Sequence, residues 1–159
     1  MQKSSEKRNF RTIRKVAMSA TIAAVMVLYL PVMALAGDYD IDEGSVDIHA
    51  YEDRTEVTHK NETHNDSSPN VYSTSGETTQ NTVTIRADRN ATANVTLSGV
   101  DINTRSVPNN EEASGNAAVS VNGAGIINIE LDGDNSLTGG NGCAGIQDNM
   151  TGTLTINDA

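Results

Sequence analysis

Glu130, Asp132 and Asp134 place three carboxylates at alternate positions of Asn128-Ile129-Glu130-Leu131-Asp132-Gly133-Asp134-Asn135, the densest acidic group in the second half of the chain. Carboxylates so spaced suit a hard cation such as calcium, which takes oxygen ligands. Hydrolysis of a glycosidic bond would need two of them facing each other roughly 5 to 9.5 Å apart. Lyase chemistry would need an Arg or Lys base poised over a metal-bound acid. From Thr82 onward the only basic residues are Arg86, Arg89 and Arg105, each beside a predicted turn. Strand alternation puts the three acids on one solvated side, so no catalytic residue is assigned and the chain is not expected to be an enzyme. A second acidic run, Asp38, Asp40, Asp42 and Glu43, begins like a calcium loop but departs from it: Gly44 comes one place late and His49 stands where the last ligand belongs. His49, His59 and His64, ten and five residues apart, fit no compact zinc motif and are expected to be exposed.

These acids must be positioned by a motif that is written twice and begun a third time. Asn94-Val95-Thr96-Leu97-Ser98-Gly99-Val100-Asp101-Ile102 returns as Asn128 to Leu137 with one extra residue, and Thr153-Leu154-Thr155-Ile156 starts again. Each copy alternates apolar with polar residues and ends on a Gly or Asp/Asn corner, the pattern of a short strand with a bend. Ala117-Ala118-Val119-Ser120-Val121 and Cys143-Ala144-Gly145-Ile146-Gln147 form a second repeated pair, which sets Cys143 against Ala117 as a small buried thiol. Leu97 to Leu131 is 34 residues and Leu131 to Ile156 is 25, with a loop over 106–115 taking up the difference. A period in the range of roughly 20 to 50 residues marks a solenoid, whose turns bury their apolar faces on one another. The expected fold is therefore all-β, a right-handed parallel β-helix, with an antiparallel β-sandwich as the competing arrangement. Val95, Leu97, Ile129, Leu131, Leu154 and Ile156 should share one core.

Composition agrees with short strands and tight turns: there is no Trp, Phe10 is the only Phe, and Gly, Asn, Thr and Asp abound. The chain divides into a leader over 1–36, an acidic first strand or cap over 37–51, a polar loop or linker over 52–81, and β-helix coils over 82–159. The last coil is cut short, so the stack reads as incomplete at its C-terminus. Six basic residues precede an apolar run from Val16, Pro31 interrupts it, and Ala34-Leu35-Ala36 supplies small residues for cleavage after Ala36. The leader is thus a secretory signal peptide, an uncleaved anchor being the alternative; no cysteine follows to carry a lipid. Secretion or display at the cell surface is expected, with membrane contact only through the leader. From Gly37 on, 5 Lys/Arg face 20 Asp/Glu, a net charge of −15. Such a surface repels phosphate backbones, so nucleic acid is not a partner. Sequons at Asn61, Asn65, Asn90, Asn94 and Asn149 are what a turn-rich Asn/Thr composition generates.

The repeat, with the Gly44-Ser45-Val46-Asp47-Ile48 strand and the leader, resembles the extracellular parallel β-helix domains, credited with carbohydrate binding, of large surface proteins from gut-dwelling Gram-positive bacteria. The resemblance rests on Asn94 to Ile102, Ile127 to Leu137, Cys143 to Ile146 and Gly152 to Ile156. It implies an adhesin-like module whose partner is a glycan or host-surface polysaccharide, with a structural stalk or protein-interaction module as the alternative. Tyr39, Tyr51 and Tyr72 all precede the repeat, so sugar contacts on the repeat would rest on hydrogen bonds rather than ring stacking. The resulting carbohydrate-binding set is Asp101, Asn103, Glu130, Asp132, Asp134 and Asn135, with Asp132 and Asp134 as the ligands of a bridging calcium ion and no other cofactor.

Overall fold

A strand buried on one face alternates its side chains in and out, and the repeated motif does so in space as in sequence. A computed structural model describes residues 37–66, 70–76, 78–105 and 115–158; the expected leader and nearly all of the expected inserted loop lie outside them. The described residues belong to one compact unit. They form thirteen strands: β1 (Asp38–Asp40), β2 (Val46–Ala50), β3 (Thr55–His59), β4 (Glu62–Asp66), β5 (Asn70–Ser73), β6 (Val83–Ala87), β7 (Thr92–Ser98), β8 (Asp101–Asn103), β9 (Val119–Gly123), β10 (Ile126–Asp132), β11 (Ser136–Thr138), β12 (Ile146–Met150) and β13 (Thr153–Asp158).

The protein is all-β with predominantly parallel sheets. One sheet has the order β1-β5-β7-β10-β13, a second β12-β9-β6-β2-β3-β4, and a third pairs β11 with β8. From β6 onward the chain visits the second, first and third sheets in turn, then repeats that order, so every strand lies beside its counterpart from the previous pass. All pairings are parallel except the β2–β3–β4 meander.

In-register pairing stacks like on like. Val46, Val83, Val119 and Ile146 form one inward row of the second sheet, and Ile48, Ile85 and Val121 the next. In the first sheet Val95, Ile129 and Ile156 line up, as do Ala93, Ile127 and Leu154. The middle members of these rows are fully buried. Gly123 stands between Ala87 and Met150 in one inward row, where the backbone comes close: its φ is +113° and a Cβ there would stand 2.1 Å from the Ala87 carbonyl oxygen.

Several expectations are corrected. Leu97 pairs with Leu131 as read, but Ile129, not Leu131, pairs with Ile156, and Asp158 falls beside Leu131. Leu131 and Leu154 are only half-buried and Ile156 is 45% exposed, so the common core is narrower than the six residues named for it. The segment 52–81, expected as a loop or linker, carries β3, β4 and β5; β3 and β4 extend the second sheet past β2, and β5 lies between β1 and β7. Its apolar signal is faint because its inward positions include His59, Asp66 and Asn70, which are polar yet buried. Ile146 pairs with Val119, which shifts the small-residue repeat by one; Cys143 is half-buried beside Gly115 rather than against Ala117, and its thiol donates to the Gly115 carbonyl at 2.8 Å.

Ile129→Ala should cost about 2 to 5 kcal/mol, because a cavity opens in a closed row, whereas Leu131→Ala should cost distinctly less. Urea unfolding midpoints of the two variants check this, and equal losses would disprove the register. Gly123→Ala should destabilise more than Gly142→Ala, since nothing lies within 4 Å of a Cβ at Gly142 and both positions have positive φ; thermal melts compare them.

Candidate functional site

The corner that carries most of the expected binding residues is built by its own polar side chains. Gly99 and Gly133 turn the chain at positive φ, and the Gly99 N–H donates to the Asp132 carbonyl at 3.0 Å. Asn135 accepts from the Val100 N–H at 2.9 Å and donates to the Asp132 and Gly133 carbonyls. Asp132 accepts from Ser98 Oγ at 2.8 Å, and Asp101 accepts from Thr78 Oγ1 at 2.6 Å. Asn103 accepts from the Arg105 N–H at 3.0 Å. Glu130 and Asp134 are exposed. The structure thus brings Asp132 and Asn135 into one corner, sets Asp101 on the neighbouring strand and leaves Asn103 at that strand's far end. Among the described residues no three His, Cys, Asp or Glu side chains are grouped to hold a metal ion.

The N-terminal acidic run is likewise engaged. Asp40 accepts from the Asp42 N–H at 3.0 Å and from Ser75 Oγ, Asp42 accepts from the Ser75 N–H at 3.1 Å, and Glu43 pairs with Lys60. The hydrogen bond from Ser75, then that from the Asp42 backbone, lowers the Asp40 pKa.

Not all the histidines are exposed. His59 is 9% exposed and stands edge-on to Tyr39, whose ring stacks on Tyr72 at 5.3 Å. Burial raises the Tyr72 pKa. Tyr72 Oη, His59 Nε2 and Asp42 Oδ1 are buried without a hydrogen-bond partner among the described residues. These groups, with Asn70 and Asp66, make a polar and aromatic layer over the first pass of the stack.

The outer face of the second sheet holds a different assembly, with members far apart in sequence. His49 Nε2 lies 3.0 Å from Asp88 Oδ1, and the imidazole stacks on Tyr51 at 3.9 Å. Arg54 sits over the same tyrosine at 4.1 Å and holds Glu56 at 2.9 Å, which lowers the Glu56 pKa. An imidazole and a guanidinium that close to one ring need opposite faces of it, so Tyr51 offers no free platform for a sugar. In register with His49 across the sheet stand Arg86, Asn122 and Asn149, and the next outward row is Asp47, Thr84, Ser120 and Gln147. Sequence reading missed this face. Its only signal was the alternation in Thr82 to Ile85 and Ala117 to Val121, which shows that a polar side exists but not what stands beside what.

No family model, curated protein or solved structure matches the chain.

A carboxylate whose pKa is lower folded than unfolded adds stability that is present above the unfolded value and is lost as pH falls through the folded one. Asp40 is such a group, with an ordinary value of 3.8. Ser75→Ala should therefore flatten the loss of stability on acidification below about pH 5. Melting temperatures of the two proteins across that range test it; parallel curves would show that the Ser75 bond contributes nothing.

Proposed function

We propose that the chain is an exported module, secreted or held at the cell surface, that folds as a right-handed parallel β-helix and binds carbohydrate. Parallel strands that return to the same three sheets in the same order support the solenoid reading, because each pass then covers the one before it. Export rests on the basic, apolar and Ala-x-Ala order of the first 36 residues. The observation that carries the binding reading is the in-register outer rows of amides and hydroxyls: Asn94, Asn128 and Thr155 on the first sheet, and Thr84, Ser120 and Gln147 on the second. Neighbouring strands lie about 4.8 Å apart, a step comparable to one sugar unit, so a linear glycan laid across the strands would meet a fresh donor or acceptor at each one. Asn128 already donates to Asn94 at 2.9 Å, which shows how such a row fixes its amides.

A structural stalk is the second reading, favoured by the corner, where the polar groups of Asp101, Asp132 and Asn135 are taken up in holding turns. The exported form on a glycan array, with calcium and with a chelator, separates the two. Retention of a glycan class is the expected outcome, and calcium dependence would bring Asp132 and Asp134 into the site. Silence of a folded sample would overturn the binding reading in favour of the stalk.

A further inference from the structure

The charges of this protein are unevenly spread over its two large outer faces. The outward acids of the first sheet are Asp38, Asp40, Glu130 and Asp132, on β1 and β10; β5 and β7 between them carry none, and no arginine either. In the second, the six central outward positions of β6, β9 and β12 are Thr84, Arg86, Ser120, Asn122, Gln147 and Asn149, without a single acid. For a chain of net charge −10, that is a bare window in an anionic surface.

The window also holds a guanidinium that forms no ion pair among the described residues. Arg54 and Lys60 are in ion pairs. Among the described residues Arg86 and Arg89 make none, although both are exposed and lie within one strand end and the turn that follows it. The nearest carboxylate in the turn, Asp88, is bound to His49 rather than to either arginine. Of the acids that border the window, Asp47 and Glu56 lie on the β2 and β3 side, with Glu56 held by Arg54, Asp88 lies in the turn after β6, held by His49, and Asp148 lies on β12 at an inward position, accepting from the Met150 N–H. Toward β9 and β12 Arg86 is followed in register by the Asn122 and Asn149 amides, donors that also suit an anionic oxygen.

We infer that the outer face of β6, β9 and β12 docks a saccharide bearing carboxylates, with Arg86 as the carboxylate's partner. The guanidinium fork matches a carboxylate with two parallel hydrogen bonds. The amide and hydroxyl rows take the sugar hydroxyls, and on an otherwise anionic surface the guanidinium gives an anion a reason to settle here. The inference rests on the carbohydrate-binding reading and narrows it to a face and a charge.

Calorimetric titration of the exported form with a galacturonate hexasaccharide and a glucose hexasaccharide, both in chelator, tests it. The acidic sugar should bind at least about tenfold more tightly, the scale of a hydrogen bond to a charged group, and added salt should weaken that preference. Arg86→Gln should abolish the preference without shifting the melting temperature, and Arg86→Lys should keep part of it because the charge remains but the fork does not. Equal affinity for the two sugars, or a preference that survives in Arg86→Gln, overturns the inference and leaves carbohydrate binding standing. Binding of neither sugar overturns the inference, while the wider carbohydrate-binding reading falls only if the glycan array is silent as well.

Discussion

Every feature of this protein answers to one constraint: a parallel strand lies directly over its counterpart from the previous pass, so an inward side chain must fit the side chain above and below it. Val, Ile and Leu satisfy this because their branched ends fill the space between rungs and need no hydrogen bond. The rows Val46–Val83–Val119 and Val95–Ile129 are the result, and each member is at most 2% exposed. The same constraint explains why glycine is needed at Gly123, where the Ala87 carbonyl takes the place of a side chain.

Stacking leaves the two ends of the row in different conditions. At one end the rows pass into Tyr72, Tyr39 and Asn70, and the β3–β4 hairpin lies alongside. Aromatic rings and polar side chains can be apolar toward the core and still meet water or one another on the far side. At the other end the inward rows reach Ile146, Leu154 and Ile156, partly or largely exposed, with Asp148 and Asp158 in register with Val121 and Leu131. A charge at an inward position is tolerable only where water reaches it, and Asp148, exposed, uses its carboxylate to accept from the Met150 N–H at 2.8 Å.

The strands of the repeat were legible because Asn94–Leu97 and Asn128–Leu131 satisfy alternation and corner chemistry together. Their mutual register was legible for the same reason, since the Leu97–Leu131 pairing keeps both corners aligned. The third copy misled because it is short: Ile156 resembles Leu131 as well as Ile129, and only backbone pairing distinguishes them. Segment 52–81 was illegible for a deeper reason. Polar residues there are buried by the hairpin and by aromatic neighbours, so the hydrophobic pattern that marks a strand is absent although the strands are not. The nominated corner residues were identified by type, but type does not reveal that Asn135 and Asp132 are occupied with the turn.

The face on which the proposed site lies could not be found by composition, because it is defined by what is missing. An acidic chain needs no particular arrangement to remain soluble, and acids scattered over every outer row would serve that end. Instead β6, β9 and β12 omit them from successive outward positions, as β5 and β7 do on the first sheet, and of these two stretches the former alone holds an arginine. Chance alignment of three strands could give an acid-free patch. It would not also be expected to leave there the guanidinium of Arg86 without an ion pair among the described residues, with Asp88 drawn to His49 instead. An exposed arginine surrounded by carboxylates normally finds one at little cost. Arg86 has neutral amides on one side and, on the other, an imidazole that already holds Asp88, so an external carboxylate can approach the guanidinium from the amide side.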